Sequence, residues 1–302
     1  MKYCINKYPM GSIPGQRTPG RYCDETLYEN IKVLAKTIVN DMTYLSVLYS
    51  STLEVGTGKS TLAQQIAEIY IEQMKQIHNI EIPFGTNNIV WRAKDLIERA
   101  FKVARYSPII LDEWEDAHYW SELGMSLRQF FRKCRQLNLF IIIIIPNLFQ
   151  LSPSYAISRS VFAIDVRFEG EFEKGYFAFY NFDKKRDLYI QGKKTYNYKV
   201  IPPNFQGRFL SGYAVDEVEY RKAKLDDMTK YDDDNRKPKA TIEREIKVKL
   251  CKKLLEHNPN LSKDELALSF GVTKRCINQW LESKNIEESD PLVQEGGNGN
   301  KI

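Results

Sequence analysis

The chain has 302 residues, of which 43% are hydrophobic, and a formal net charge of +5, values that favour one sizeable folded core with a small additional module in a soluble intracellular protein. The longest apolar run is too short to cross a bilayer and the N-terminus shows no signal-like pattern, so we expect no membrane partner and a cytoplasmic location. Five cysteines without a C-x-x-C pair and three scattered histidines argue against a zinc site or a disulfide scaffold.

Changes in composition divide the chain into five segments. An irregular N-terminal segment is expected over residues 1–23, because glycine and proline are frequent there. A large domain over 24–229 follows, and the charged, proline-containing stretch 230–240 is typical of a linker. The predicted C-terminal module covers 241–284, and the acidic, glycine- and asparagine-rich end, 285–302, is expected to be disordered.

A loop typical of phosphate binding follows the first predicted strand of the large domain. The apolar run YLSVLYSS precedes EVGTGKST, and a helical pattern comes next, so a strand, a glycine-containing loop and a helix N-terminus succeed one another. Glycine lets backbone N–H groups turn toward phosphate oxygens, and the helix dipole favours negative charge there. The residues expected to bind a nucleotide are Gly56, Thr57, Gly58, Lys59, Ser60 and Thr61.

Two side chains of this loop have specific expected roles. Lys59 is expected to reach the β- and γ-phosphates, and the hydroxyl of Ser60 to ligate Mg²⁺. The pattern G-x-x-x-x-G-K-[ST] has a glycine five residues before Gly58, whereas this chain has Leu53 at that position. A glycine-rich turn that binds no phosphate is therefore the alternative.

An acidic pair follows the third predicted strand. In PIILDE, Pro108 to Glu113, four apolar residues are followed by two carboxylates. Asp112 is expected to hold Mg²⁺ together with Ser60, and Glu113 to polarise the attacking water. Acidic residues are also common where a strand ends at the mouth of a sheet, which is the alternative.

Strands and helices alternate along the large domain. Strands are predicted near 45–50, 88–91, 108–111, 139–145 and 161–168, and helices over 93–104 and 120–136. This alternation predicts an α/β fold with a mainly parallel sheet, right-handed crossovers and a site at the carboxyl ends of the strands.

With these motifs the chain resembles the P-loop NTPases, and among them the ATPases that have an additional strand and a catalytic glutamate. The resemblance implies the strand order 5-1-4-3-2, numbered along the chain, and places Asn147 beside the γ-phosphate as a polar sensor. A turn residue following Pro146 is the alternative for Asn147. Residues 127–166 look like the zonular-occludens-toxin-like and FtsK/HerA-like ATPases carried by viruses and plasmids.

The same resemblance implies an assembly. Such enzymes usually work as homo-oligomeric rings, in which an arginine from one subunit stabilises transition-state charge at its neighbour's γ-phosphate. Arg159, just before the fifth strand, is the first candidate for this role, and Arg132 and Arg135 come next. A solvated surface arginine is the alternative at each position.

After the fifth strand the sequence becomes aromatic. Alternation over Tyr176–Tyr180 and again over Leu188–Ile190 predicts a β-hairpin as a β-rich extension of the domain. Its aromatic and basic residues suggest either a stacking surface for nucleic acid or side chains that bury one face of a sheet. The charged helix predicted over 215–228 is interpreted as a docking or surface helix.

The C-terminal module has a helix-turn-helix pattern. Ser262 and Glu265 form a predicted capping box, Gly271 supplies the turn, and Thr273 caps a second helix. From Arg236 to Lys284 there are twelve Lys/Arg against six Asp/Glu, so positive charge is concentrated here. The side chains expected to contact DNA are Lys274, Arg275, Asn278 and Gln279. An αα-hairpin used for protein contacts is the alternative.

Together these patterns predict a Mg²⁺-dependent ATPase that acts on DNA, with ATP and Mg²⁺ as cofactors. The first hypothesis is a translocation or genome-packaging motor of a virus or mobile element, which would be located in the host cytoplasm if the protein is viral. A replication initiator or plasmid-maintenance regulator switched by nucleotide is the second hypothesis. A scaffold with a degenerate nucleotide site is the third, and Leu53 in the loop favours it.

Overall fold

The computed structural model describes residues 3–6, 21–52, 56–112, 114, 122–169, 173–234, 247–248, 250–256, 258 and 261–282. The predictions for Leu53, for Glu113, for the linker residues 235–240 and for the tail 285–302 fall outside the described residues. The chain divides into two compact units, Met1–Asp227 and Met228–Ile302.

The N-terminal segment contains β-structure. Strand β1 (Tyr3–Asn6) pairs in parallel with β2 (Arg21–Asp24) in a sheet of their own. Asp24 then begins the first helix, where its carboxylate accepts hydrogen bonds from the backbone N–H groups of Thr26 and Leu27. The described part of residues 1–23 is therefore paired strand rather than irregular chain.

A seven-stranded, mostly parallel sheet forms the centre of the first unit. Five parallel strands come first along the chain, namely β3 (Tyr44–Tyr49), β4 (Ile89–Val90), β5 (Pro108–Leu111), β6 (Phe140–Ile144) and β7 (Ser160–Glu169). Two antiparallel strands follow, β8 (Glu173–Tyr180) and β9 (Phe205–Arg208). The α/β class and the mainly parallel sheet are confirmed.

The strands are arranged in the order β4-β5-β6-β3-β7-β8-β9. This order differs from a five-stranded 5-1-4-3-2 sheet, because β8 and β9 extend the sheet beyond the fifth parallel strand. Within the seven-stranded sheet, the five parallel strands lie side by side in the order β7-β3-β6-β5-β4. The strand that precedes the glycine-containing loop, β3, thus lies between β6 and β7.

The predicted β-hairpin is wrong. Strand β8 pairs with β7 and β9, while Leu188–Gly192 is π-helical and follows the short helix α5 (Phe182–Asp187). The aromatic side chains of β8 are buried on both faces, since Phe177 and Phe179 belong to one core and Tyr180 to the other. Strand β8 is accordingly an interior strand, and it offers no stacking surface for nucleic acid.

Helices cover both faces of the sheet. Besides α5, the helices of the first unit are α1 (Glu25–Ile38), α2 (Lys59–His78), α3 (Ala93–Lys102), α4 (Glu122–Lys133), α6 (Lys193–Thr195) and α7 (Glu217–Asp234). The last residues of α7 belong to the second unit. None of the helices in the described ranges is long and apolar enough to cross a membrane. The first five residues of the predicted linker, 230–234, belong to α7.

Strand β6 shows how one sequence run builds two cores. Ile142 and Ile144 pack in the core that contains α1 and α2, whereas Ile141 and Ile143 pack in the core that contains α3 and α4. All four are almost completely buried. Because successive side chains of a strand point to opposite faces, a continuous isoleucine run is required in a strand that is covered on both sides.

The second unit is a small helical module. Its helices include α8 (Lys263–Phe270) and α9 (Lys274–Glu282), and residues 247–248 and 250–256 are also helical. The predicted capping box of Ser262 and Glu265 is confirmed, and Gly271 ends α8 in the left-handed conformation with φ +63°. The buried side chains of the module are Cys251, Leu266, Ala267, Ile277 and Trp280.

Candidate functional site

The glycine-containing loop leads directly into α2. Gly56 and Gly58 have φ angles of +83° and +97°, a left-handed conformation that favours glycine. Gly58 is the N-cap of α2 and offers no side chain to cap it, and no acidic residue lies in the first turn. The N-terminal amides of α2 and the positive end of its dipole therefore point toward the loop, as an anion-binding helix requires.

Ser60, in the first turn of α2, lies against Asp112. Its hydroxyl Oγ is 3.0 Å and 3.1 Å from the two carboxylate oxygens of Asp112. Asp112 directly follows β5 and is 1% exposed. The two residues predicted to hold Mg²⁺ are thus in hydrogen-bonding contact at the carboxyl edge of the sheet.

The oxygen ligands offered by Ser60 and Asp112 suit a Mg²⁺ ion that is also bound by phosphate. In the part of the chain that the structure describes, no group of three or more His, Cys, Asp or Glu could hold a metal ion. One hydroxyl and one carboxylate are the protein ligands expected when phosphate oxygens and water complete the shell. Thr57, in the loop itself, is fully buried, and its hydroxyl has no hydrogen-bond partner among the described residues. These groups fit a magnesium–nucleotide complex.

Helix α7 closes over Asp112, which sequence reasoning missed. The Tyr220 hydroxyl donates a hydrogen bond to Oδ2 of Asp112, and Nζ of Lys224 lies 3.5 Å from the same oxygen. Tyr220 is 3% exposed, and burial followed by the charge of Asp112 raises its pKa, so that the hydroxyl stays protonated as a donor. The charged helix predicted over 215–228 is α7, and most of its described side chains are exposed as expected of a surface helix, but Tyr220 is buried against Asp112.

Further contacts hold α7 at this edge. The Trp91 ring lies 6.2 Å from the Tyr220 ring, measured between centroids. Nε of Arg92 is 3.1 Å from Oδ1 of Asp227, one turn beyond Lys224. In sequence, the only signal for this packing was an aromatic residue in an otherwise strongly charged helix.

The chain between β9 and α7 covers the start of α2. Nε2 of Gln65 donates to the backbone oxygens of Leu210 and Gly212, at 2.7 Å and 3.0 Å. The ring of Phe209 packs on Gly58, and a Cβ added there would lie 3.0 Å and 3.1 Å from two of its carbons. Position 58 is therefore restricted to glycine both by its backbone angles and by its neighbour.

Asp165 is a second buried carboxylate near the loop, and it was not predicted. It stands on β7 opposite Tyr49, the last residue of β3, and accepts hydrogen bonds from the N–H and the hydroxyl of Ser51 at 2.7 Å and 2.6 Å. Burial raises its pKa above the usual range, although the bonds from Ser51 and the charges of Arg167 and Lys59 act in the opposite direction. An aspartate inside the apolar strand sequence VFAIDV was the available signal.

Asn147 and Arg159 lie at opposite edges of the sheet. Asn147 follows β6 at the carboxyl edge, where its Oδ1 accepts hydrogen bonds from the N–H of Phe149 and the hydroxyl of Tyr198, at 2.8 Å and 2.6 Å. These are the contacts of a turn residue. Arg159 is exposed and immediately precedes β7, at the amino edge. It is therefore remote from the loop of its own chain, and the described contacts do not join it to Ser60 or Asp112.

The residues predicted to contact DNA lie on α9. Lys274, Arg275 and Gln279 are exposed, and Asn278 is half-buried. Two of them have partners on α8: Nζ of Lys274 is 2.6 Å from a carboxylate oxygen of Asp264, and Oδ1 of Asn278 accepts a hydrogen bond of 2.9 Å from Lys263. Arg275 and Gln279 are thus the more accessible members of the set.

Comparison with protein-family models, with curated proteins and with solved structures finds no match to this chain. Its own fold and site define an α/β protein with a mostly parallel sheet, a loop and helix N-terminus suited to an anion, and a buried carboxylate beside them.

Proposed function

We propose that this protein is a Mg²⁺-dependent ATPase that acts on DNA, in the manner of the translocation or packaging motors of viruses and mobile elements. The observation that carries the proposal is the contact between Ser60 and Asp112 at the start of α2. A hydroxyl and a carboxylate at this junction are the groups that hold Mg²⁺ beside a triphosphate.

The chain's own residues have distinct roles in this proposal. The amides from Gly56 to Thr61, including those of Thr57 and Gly58, would hold the phosphates, and Lys59 would balance their charge. Ser60 and Asp112 would hold the metal, and Glu113 would orient the attacking water. Bound Mg²⁺ supplies the neutralising charge that phosphoryl transfer needs.

Asn147 and Arg159, the other two predicted catalytic residues, need further conditions to act at this site. Asn147 is held by its own turn, so a sensor role requires that its amide nitrogen face the site. Arg159 is at the opposite edge of the sheet, so it would act only on a neighbouring subunit of a homo-oligomeric ring.

The DNA-binding part of the proposal rests on the second unit. The helices α8 and α9 pack on a shared core and leave Arg275 and Gln279 exposed on α9. Arginine and glutamine are side chains that reach phosphates and base edges. The excess of basic residues from 236 to 284 supports the same partner.

The decisive experiment is ATP binding and hydrolysis with and without Mg²⁺. Wild type is expected to bind ATP and to hydrolyse it only with Mg²⁺, whereas Lys59→Ala loses both activities. Lys94→Ala, which alters an exposed lysine at the start of α3, is the matched control and should behave as wild type. Absence of ATP binding by a folded wild type, or full activity of Lys59→Ala, would refute the proposal.

A nucleotide-switched initiator or regulator is the second candidate. It is favoured by α7, which brings Tyr220 and Lys224 onto Asp112 and so ties a helix to the proposed metal site. A motor is expected to hydrolyse ATP faster with long DNA of any sequence. A regulator is expected to turn over slowly and to prefer particular short duplexes.

A further inference from the structure

Lys224 brings a positive charge to the side chain proposed to hold the metal. Its Nζ is 3.5 Å from Oδ2 of Asp112, which also accepts the hydrogen bond from Tyr220. The side chain of Asp112 is 2% exposed and that of Lys224 is 26% exposed. A carboxylate this deeply buried is stabilised by a nearby cation, and Lys224 supplies one from within the chain.

We propose that Lys224 is an internal counter-ion that competes with Mg²⁺ for Asp112, so that loading of magnesium and ATP releases Lys224. This inference rests on the proposed ATPase site and adds a regulatory contact to it. In the closed arrangement Asp112 is neutralised by α7, and in the loaded arrangement the Lys224 side chain is free to enter solvent.

The charges explain why Lys224 and not Tyr220 is the displaced group. An ammonium group and a divalent ion on one carboxylate repel each other strongly at a few ångströms, particularly where water is excluded. The Tyr220 hydroxyl is neutral and can keep its hydrogen bond to Asp112. Lys224, being partly exposed, can withdraw its charge by rotation about its side-chain bonds, while Arg92 and Asp227 keep that end of α7 in place.

The competition predicts a change in magnesium affinity. Lys224→Met keeps an unbranched side chain, one heavy atom shorter, and removes its charge. Lys222→Met makes the same change at an exposed position on the same helix. The Mg²⁺ concentration for half-maximal binding of ATP should fall about tenfold in Lys224→Met, the size expected for loss of one charge-assisted contact, and should not change in Lys222→Met. An unchanged or higher Mg²⁺ requirement in Lys224→Met would overturn the inference.

A second measurement follows Lys224 in the wild-type protein and does not depend on activity. Acetylation by a small anhydride, read by mass spectrometry, should modify Lys224 several times faster with ATP and Mg²⁺ than with ATP and a chelator. The exposed Lys222 is the internal reference and should react equally in both conditions. Equal reactivity of Lys224 in a protein that demonstrably binds ATP and Mg²⁺ would show that its contact with Asp112 persists and would overturn the inference.

The two proposals fail in different ways. If folded wild type and Lys224→Met both bind no ATP with Mg²⁺, the ATPase site is refuted and the competition at Asp112 is refuted with it. If wild type binds ATP with Mg²⁺, but either the Mg²⁺ requirement of Lys224→Met or the reactivity of Lys224 fails to change as described, only the role of Lys224 is refuted.

Discussion

Asp165 on β7 accepts two hydrogen bonds from Ser51, one from its backbone N–H at 2.7 Å and one from its hydroxyl at 2.6 Å. Ser51 lies two residues beyond the end of β3, where the chain leaves the sheet for the glycine-containing loop. The pair therefore fixes the direction of the chain on one side of the loop, as Gly58 and the first turn of α2 do on the other.

Breaking this pair should destabilise the fold through Asp165 more than through Ser51. Asp165→Ala leaves the Ser51 N–H without its acceptor and is expected to cost about 2–3 kcal/mol, whereas Ser51→Ala removes one side-chain bond and should cost about 1 kcal/mol. Urea denaturation of both variants and of the double variant measures their coupling. Equal costs for the two single variants, or simple additivity in the double variant, would contradict this account of the pair.

The raised pKa of Asp165 predicts a specific pH dependence. Because burial raises the pKa in the folded state, the folded protein holds this proton more tightly than the unfolded chain does. The contribution of Asp165 to stability is therefore largest at low pH and falls as the pH rises from the ordinary pKa of aspartate toward the raised one. Asp165→Asn lacks this titration, so the stability of wild type relative to Asp165→Asn should decrease across that window. Urea unfolding at several pH values tests it, and a difference that grows with pH would contradict it.

The contact between Ser60 and Asp112 predicts loss of activity without loss of fold. Ser60→Ala and Asp112→Asn each remove a proposed ligand, and hydrolysis is expected to fall at least about a hundredfold, as for removal of several kcal/mol of metal assistance. Ser46 is the matched control, because it is buried on β3 and its hydroxyl has no hydrogen-bond partner in the described residues. Ser46→Ala should keep full activity. Wild-type turnover in Ser60→Ala would exclude Ser60 as a metal ligand.

The local parts of the fold were predictable because their signals are local. The loop before α2 is read from glycines, a lysine and a serine within a few positions, and β6 from a run of isoleucines that few other structures require. The capping box of Ser262 and Glu265 likewise spans only one helical turn. In each case the pattern that predicts the structure and the residues that adopt it lie within the same short stretch of sequence.

The groups around the site were not predictable in the same way. Asp165, Phe209 and Tyr220 reach the loop or Asp112 from more than a hundred residues away. They are brought there by the pairing of β7 with β3, by the pairing of β9 with β8, and by the packing of α7. The hairpin prediction failed because an apolar pattern over only three residues, Leu188–Ile190, cannot distinguish a strand from a helix. The contact of Tyr220 with Asp112 was missed because Tyr220 is one aromatic residue in a charged, mostly exposed helix.

The two glycines of the loop should differ in their tolerance of alanine. Both have positive φ, so Gly56→Ala and Gly58→Ala should each cost about 1–2 kcal/mol for backbone strain. Among the described residues, an added Cβ at Gly58 would lie 3.0 Å from the Phe209 ring, whereas one at Gly56 would have no neighbour within 4 Å. Gly58→Ala is therefore expected to be the more destabilising in urea denaturation. Phe209→Ala combined with Gly58→Ala should recover part of the additional cost, and a Gly56→Ala variant that is equally unstable would contradict the role of Phe209.

The salt dependence of DNA binding tests whether α9, rather than another basic part of the surface, contacts DNA. If Arg275 contacts a phosphate, Arg275→Ala should weaken binding to duplexes of different sequence uniformly and reduce the slope of log K against log salt by about 1. If it contacts a base edge, the loss should concentrate on one sequence. Lys199→Ala, which removes an exposed lysine of the first unit, is the control and should leave both affinity and slope unchanged. Fluorescence anisotropy with labelled duplexes over a salt series measures both quantities. Undiminished DNA binding by Arg275→Ala, or the same loss in Lys199→Ala, would remove α9 as the DNA-contacting helix and favour the alternative in which α8 and α9 serve protein contacts.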